Sequence, residues 1–396
     1  MDPTLTDTIE MHGDPLAFKL RQGRPSPLLQ GGRDIIKVEA RQMALHQKEA
    51  VVTDGVEASA WRVASDEGKH LKGTDLAPFP LGYFNAGIQV DLAQQIRRIA
   101  DERGIPISSL TLSVVNHYWL TGSFVHGTGE GHAEMPDIDV RIDSPASSGD
   151  IASLVHAAMD AAPTIAFLRS SLTTNSFALY INGRRRPVDG IDNSTAPNAG
   201  DPYQVYKSAP RPLDAKGRGD LIVKTGVTED GQSSPAKATI DGKQIRDVVG
   251  EGKLLSDGIL DADTWLAMPG ASHFRLLGDA AGTDAAPSGL ALFAAGISFC
   301  YMTQLARYIE NMKLAIRGVR LVQYTPFSGG AKAVAEPIDT HLFLNGEAPP
   351  ETHLKLLTVA ARTCYLHAAS KTPTDPNLRI AHNGRPLAGA PLRQSA

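Results

Sequence analysis

Two segments of the chain carry nearly the same sequence: Gly73–Ile88 reads GTDLAPFPLGYFNAGI and Gly282–Ile297 reads GTDAAPSGLALFAAGI. Ten of their sixteen positions are identical without a gap. The correspondence continues downstream, as far as Asn182-Gly183 against Asn383-Gly384, after a shorter hairpin in the second copy. Repetition at a nearly fixed offset indicates a duplicated structural unit. We therefore predict two tandem copies of one unit.

The pattern of the first copy predicts antiparallel strands combined with long helices. Phe84, Ile88, Leu92 and Ile96 step by four residues, which is typical of a helix with one buried face, and Gly104 is placed to end it. Short runs that alternate apolar and polar residues predict half-buried strands. The predicted elements are strands between Asp34 and about Trp61, a helix over 81–103, a strand over 107–124, a strand over 138–142, a helix over 148–167 and a strand over 176–181.

The composition divides the chain into four parts. Residues 1–27 mix proline, glycine and charge without periodicity and predict an irregular lead-in. The first copy covers 28–190, and a stretch rich in proline, glycine and charge over 191–253 is expected to be a linker or insertion. The second copy covers 254–396.

Length and charge exclude several classes of function. The chain has 396 residues and a formal net charge of −4, so its overall electrostatics argue against nucleic acid or an anionic membrane as a partner. The N-terminal residues lack the basic and apolar regions of a secretion signal, and no apolar run approaches the roughly 18 residues that span a bilayer. We expect a cytoplasmic protein that acts on a small molecule.

Both cysteines of the chain, Cys300 and Cys364, fall in the second copy. In the repeat, Cys300 aligns with Asp91 and Cys364 with Ala162, so the first copy has no thiol. Two cysteines are too few for a disulfide framework, and they are either a catalytic or redox-active pair or two unrelated buried thiols. If the copies pack as a pseudo-dimer, one of two symmetry-related sites has lost its chemistry.

Several motifs resemble the OsmC and organic hydroperoxide resistance proteins. Phe293–Cys300 (FAAGISFC) is similar to the reactive-cysteine helix of that family, Ser256–Asp261 to its early strand, and Gly31-Gly32-Arg33-Asp34 to its glycine-flanked arginine. Cys364-Tyr365-Leu366-His367 occupies the place of its resolving cysteine. The resemblance implies an α+β, OsmC-like fold in which the two copies form an intramolecular pseudo-dimer, with central helices packed against curved antiparallel sheets.

The resemblance also implies a cysteine-based thiol peroxidase. Cys300 would attack an organic hydroperoxide to give a sulfenic acid, and Cys364 would resolve it as a disulfide that an external dithiol reduces. No cofactor and no metal are implied, and further association into a homodimer is left open. A thiolate needs a nearby cation, and Arg33 or, in the second copy, Arg218 is the candidate by its context.

The sequence departs from this family at two positions. Leu290 stands ten residues before Cys300, where the family has a glutamate that holds the arginine, and Leu81 stands there in the first copy. Tyr365 replaces the proline that usually follows the resolving cysteine. Two alternatives therefore stay open beside the peroxidase: a hydrolase or lyase that uses Cys300 on another small organic electrophile, and a non-catalytic small-molecule binding protein.

Histidines supply the remaining candidates. His367 follows Cys364 by three residues, so on a helix its imidazole could exchange protons with a thiol, or it could bond to backbone at the helix end. His117, His126 and His132 match no compact metal-binding motif. We expect no metal site and carry His367 forward with the two cysteines.

Overall fold

The computed structural model describes residues 6–20, 34–55, 59–124, 126–213, 220–229, 239–240 and 243–387. Within these ranges the fold is mixed α+β, with eight α-helices and two large sheets that are mostly antiparallel. The helices are α1 (Ile9–His12), α2 (Pro80–Arg103), α3 (Ser148–Ala161), α4 (Pro163–Arg169), α5 (Tyr203–Tyr206), α6 (Gly289–Met312), α7 (Pro350–Thr363) and α8 (Tyr365–Lys371).

The strands are short at the edges of the sheets and long at their centres. They are β1 (Ala17–Lys19), β2 (Asp34–Gln42), β3 (Lys48–Asp54), β4 (Ser59–Ser65), β5 (Ser109–Thr121), β6 (Glu130–Ala133), β7 (Asp137–Asp143), β8 (Ser176–Ile181), β9 (Arg184–Arg186), β10 (Asp192–Asn193), β11 (Ile222–Val227), β12 (Thr239–Ile240), β13 (Lys243–Gln244), β14 (Arg246–Leu254), β15 (Ile259–Leu266), β16 (Ser272–Asp279), β17 (Ile316–Ser328), β18 (Val334–Ala335), β19 (Asp339–Gly346), β20 (Asn377–His382) and β21 (Arg385–Pro386).

Each large sheet contains strands from both halves of the chain. The first sheet has the order β1-β4-β3-β2-β17-β19-β8-β10, and the second has the order β11-β16-β15-β14-β5-β7-β20-β21. The halves meet where β2 pairs with β17, with Val38 opposite Gln323, and where β14 pairs with β5, with Gly250 opposite Val114. The order of elements from β2 to β9 is followed again from β14 to β21.

The long helices α2 and α6 pack against each other between the sheets, and glycines allow their backbones to approach. A Cβ atom added at Gly296 would lie 2.7 Å from the backbone nitrogen of Phe84, and one added at Gly87 would lie 2.6 Å from that of Phe293. The rings of Phe84 and Phe293 stack across the contact with their centroids 4.3 Å apart. This contact fixes α6, and with it Cys300, at the centre of the molecule.

The structure confirms most elements predicted for the first half. The strands from Asp34 onward are β2, β3 and β4, and the long helix is α2, which ends at Gly104 with φ 65° as expected. The helix predicted over 148–167 is instead two helices at 72° to each other. The break falls at Ala162, because the ring of the following Pro163 disfavours helical geometry in the residue before it.

Two segments that were predicted to be irregular contain ordered elements. In the lead-in, α1 and β1 lie within the described residues, and β1 pairs with β4. The predicted linker over 191–253 includes most of β14, which lies in the middle of the second sheet between β15 and β5. The charged residues of β14 made the segment resemble a linker. They alternate along the strand with inward-facing residues such as Val248, which is fully buried.

One described helix, α6, is long and apolar enough to cross a membrane. Its most apolar window has a mean hydropathy of 1.4, and 89% of that window is buried inside the molecule. The bent pair of α3 and α4 would pass the same test only if both counted as one span. A buried core helix has the same composition as a membrane span, so α6 is explained by its place between the sheets.

A partly buried ion-pair network links β5 to its two neighbouring strands. His117 on β5 lies between two carboxylates, with Nδ1 2.7 Å from Asp247 on β14 and Nε2 3.4 Å from Asp137 on β7. Burial alone would lower the pKa of His117, but the two aspartates outweigh it and raise its pKa to about 9. The histidine is therefore charged at neutral pH and links three strands.

We expect His117 to make stability depend on pH in the alkaline range. Its pKa rises from about 6.5 in the unfolded chain to about 9 in the fold, so its contribution is full below pH 6.5 and is lost as pH rises through 9. The loss should be about 3 kcal/mol, from about 2.5 pKa units at about 1.4 kcal/mol per unit. Urea unfolding between pH 6 and 10 measures it, and His117→Gln should remove that part of the slope. An unchanged slope in the variant would contradict the assignment.

Candidate active site

The two cysteines come together in the core. Cys300 lies in the middle of α6, and Cys364 is the residue between α7 and α8, where its extended backbone interrupts the helix. Their Sγ atoms are 3.3 Å apart, and both thiols are free. Because the sulfurs of a disulfide are about 2.0 Å apart, a shift of only about 1 Å would allow the bond to form.

The two thiols share their protons unequally. Burial raises the pKa of Cys300, and its hydrogen-bond contact with Cys364 raises that pKa further. Burial also acts to raise the pKa of Cys364, but the contact with Cys300 and the imidazole and backbone N–H of His367 outweigh burial and lower it. The pair therefore titrates as a unit, with the first negative charge favoured on Cys364.

His367 is beside the cysteine pair, as its spacing predicted. It is buried on α8, and its ring lies between Phe177 and Tyr301, with centroid distances of 5.7 Å and 5.1 Å. Within the described residues neither of its ring nitrogens has a hydrogen-bond partner. The imidazole is therefore not bonded to backbone at the helix end, which was the other interpretation of this histidine. It acts instead to lower the pKa of Cys364.

A cavity of about 220 Å³ reaches Cys300. Cys300 is 3% exposed and lines it, whereas Cys364 is fully buried behind it. Phe79, Leu81 and Leu266 supply apolar wall, so the cavity fits a small organic group. A molecule that enters can contact the sulfur of Cys300 before that of Cys364.

Charged side chains form the rest of the wall. Arg307 lies two turns after Cys300 on α6, Arg246 begins β14, and Glu67 follows β4. The guanidinium of Arg307 lies 4.2 Å from the ring centroid of Phe124 and donates to Gln304. Two cations and one carboxylate from distant parts of the chain thus line the same cavity as Cys300.

The carboxylate of Glu67 is engaged by two neighbours. It accepts a hydrogen bond from Thr303, one turn after Cys300, and lies 3.6 Å from Nζ of Lys48. Lys48 is fully buried on β3, and burial lowers its pKa. Lys48 also donates to the carbonyl of His46. This buried pair places a second charged group behind the wall of the cavity.

The arginines proposed from sequence cannot be placed at the site. Arg33 and Arg218 lie outside the described residues. Of Leu81 and Leu290, which correspond to each other in the repeat, Leu81 lines the cavity of Cys300 and Leu290 is not among its lining residues. Leu81 reaches this cavity because its helix α2 packs against α6, which carries Cys300.

Asp91, the counterpart of Cys300 in the repeat, has a closed environment. It is 1% exposed and accepts hydrogen bonds from the backbone N–H and the hydroxyl of Thr164, at 2.9 Å and 2.7 Å. Burial raises its pKa to about 6. The carboxylate is paired rather than solvated.

Most residues of the cavity wall were not predicted from the sequence. Thr303, Gln304 and Arg307 follow Cys300 by three, four and seven residues, so helical spacing could have placed them on its face. Arg246, Glu67 and His70 carry no comparable signal, since each lies far from Cys300 in sequence.

The fold and the site together define a mixed α+β protein with a buried dithiol that opens onto a small cavity. No protein-family model and no curated protein matches the chain. Among solved structures, the chain is similar to an OsmC-like hydroperoxide resistance protein from Jannaschia sp. CCS1, with 20% sequence identity and a TM-score of 0.25. The match covers 35% of this chain and 95% of that one. It is a weak structural neighbour.

Proposed function

We propose that the protein is a two-cysteine thiol peroxidase that reduces a small organic hydroperoxide. The observation that carries the proposal is the sulfur pair, with Cys300 and Cys364 3.3 Å apart and only Cys300 facing a cavity. Such a pair suits a reaction in which one sulfur meets the substrate and the other completes a disulfide. A hydrolase or lyase would need only one of these thiols.

The reaction begins with the pair carrying one negative charge. Proton transfer across the 3.3 Å contact leaves the thiolate on Cys300, which attacks the distal oxygen of the hydroperoxide. The O–O bond breaks, Cys300 becomes a sulfenic acid, and the alkoxide leaves and takes a proton from water. The thiol of Cys364 then displaces water from the sulfenic acid to form the disulfide. An external dithiol reduces that disulfide, and no bound cofactor is needed.

We further propose that the chain is a tandem duplication of an OsmC-like unit, arranged as a pseudo-dimer. The repeated order of elements from β2 and from β14, together with the exchange of strands between the sheets, supports this interpretation. In this arrangement Asp91 occupies the position that corresponds to Cys300, so one of the two sites has lost its thiol chemistry. The cytoplasm, with its dithiol reductants, is the compartment that suits such a reaction.

The proposal is tested by counting thiols. We expect one equivalent of cumene hydroperoxide to convert both thiols into a single intramolecular disulfide, seen by mass spectrometry of alkylated protein. Dihydrolipoamide should restore both thiols and sustain turnover of the peroxide. If both thiols remain free after exposure to excess peroxide, the proposed function is wrong.

A further inference from the structure

The two Gly-Thr-Asp triplets that begin the repeated segments, at 73–75 and 282–284, are not among the residues that line the cavity of Cys300. Each triplet lies in the loop that leads from a strand into a long helix. The first follows β4 of the first sheet and precedes α2, and the second follows β16 of the second sheet and precedes α6. Because the same three residues stand at corresponding places of two loops, we compared the contacts that each triplet makes.

The threonine of each triplet binds to the end of the strand that the chain is leaving. The hydroxyl of Thr74 donates to Oδ2 of Asp66, the residue after β4, at 2.5 Å. The hydroxyl of Thr283 donates to Oδ2 of Asp279, the last residue of β16, at 3.2 Å. Both accepting carboxylates are buried, so each bond satisfies a group that would be costly to leave without a donor.

The aspartate of each triplet binds to the opposite sheet. The carboxylate of Asp75 accepts hydrogen bonds from Nζ of Lys224 on β11, at 2.6 Å, and from the hydroxyl of Ser272 on β16, at 2.5 Å. The carboxylate of Asp284 forms an ion pair with Lys19 on β1. In both pairs the lysine also donates to the backbone carbonyl of the aspartate, at 3.2 Å and 3.3 Å. Each loop therefore leaves one sheet and is fastened to the other.

The two lysines occupy matching places at the edges of their sheets. Lys19 stands opposite Trp61 on β4, with Nζ 5.9 Å from the ring centroid. Lys224 stands opposite Phe274 on β16, with Nζ 5.8 Å from the ring centroid. Within the described residues β1 and β11 each pair with one strand only. An edge strand is held by backbone hydrogen bonds on one side, so the aspartate adds a second attachment.

We propose that the two Gly-Thr-Asp triplets are reciprocal clamps between the sheets, in which each aspartate holds the edge strand of the sheet opposite to the one that its threonine binds. This gives the repeated triplet a role in joining the two sheets that is separate from the chemistry of the cysteines. The side chain of Asp75 is 12% exposed and that of Asp284 is 40% exposed. Because solvent and salt screen an exposed ion pair, the clamp at Asp75 is the stronger of the two.

Hydrogen exchange of the full chain, followed by mass spectrometry, tests the clamps. Asp75→Asn removes the charge, and asparagine tolerates the left-handed backbone of this position, where φ is 62°. We expect amide exchange in β11 to become roughly 10-fold faster and exchange in β1 to stay unchanged. Asp284→Asn should do the reverse, with exchange in β1 roughly 2- to 5-fold faster and no change in β11.

A second variant tests the partner of Asp75 without touching the loop. Lys224 is 41% exposed, so Lys224→Met should fold, and it should accelerate exchange in β11 as much as Asp75→Asn does. The double variant should be no faster than either single variant, because both remove one interaction. Lys253→Met, at an exposed lysine of β14 in the same sheet, is the matched control and should leave β11 unchanged. Unchanged exchange in Lys224→Met, or equal acceleration of β1 and β11 in Asp75→Asn, would overturn the proposal.

Discussion

Cys300→Ser is expected to abolish peroxide reduction, with kcat/KM at least roughly a thousandfold lower, because the hydroxyl of serine is a far weaker nucleophile than a thiolate. Serine has nearly the size of cysteine, so the packing of α6 should survive the change. Steady-state assays with cumene hydroperoxide measure the loss. Activity that survives in Cys300→Ser would place the chemistry at another residue.

Cys364→Ser should behave differently, since Cys300 keeps its sulfur and its cavity. One equivalent of peroxide should still react, and the sulfenic acid on Cys300 should persist without its partner thiol. Excess peroxide should then add a second oxygen to give the sulfinic acid, which mass spectrometry resolves. Ser298→Ala is the matched control on the same helix, because the Ser298 hydroxyl is buried without a hydrogen-bond partner among the described residues. A control that lost activity as well would point to damage to α6.

Gly296→Ala is expected to destabilise the fold by roughly 2–3 kcal/mol, although alanine favours helices over glycine. The added Cβ would lie 2.7 Å from the nitrogen of Phe84 and 2.9 Å from the carbonyl oxygen of Pro80. Both are backbone atoms in the first turns of α2. The overlap can therefore be removed only if the two helices move apart. Urea unfolding measures the loss.

Gly149→Ala is the matched control for that change, since it also replaces a helical glycine. Its added Cβ would have only the Ser147 hydroxyl oxygen nearby, at 3.7 Å. We expect its stability to be equal to or slightly above that of the wild type. Equal stability of both variants would show that the contact between α2 and α6 is looser than the structure indicates.

The local elements were the most predictable part of the structure. The four-residue spacing on α2, the glycine at its end and the alternation along β7 depend on nearby residues, and each was placed within a few positions. The prediction failed where local pattern and tertiary pairing disagree. Arg246–Leu254 has glycines and charges typical of a loop, yet it becomes a central strand because β5 and β15 pair with both its edges.

Of the candidate site, only the residues around the two sulfurs could be selected from the sequence. The sequence singled out Cys300, Cys364 and His367 because rare thiols and helical spacing can be seen in a single sequence. It proposed Arg33 and Arg218 as the cations from motif context, and those positions lie outside the described residues. The cations that the structure places in or behind the wall of the cavity are Arg246, Arg307 and Lys48. No pattern along the chain connects Arg246 or Lys48 with Cys300.

By itself the sequence determined that Gly73–Ile88 and Gly282–Ile297 are nearly identical, that both thiols follow the second of these segments, and that small residues precede Cys300 in an apolar stretch. These properties depend on residue identity and spacing along one chain. Only the tertiary structure decided that strands from both halves share each sheet, that the sulfurs of Cys300 and Cys364 lie 3.3 Å apart, and that Arg246 faces the same cavity. Those contacts join residues separated by tens to hundreds of positions, and their geometry follows from how the core packs rather than from any local preference.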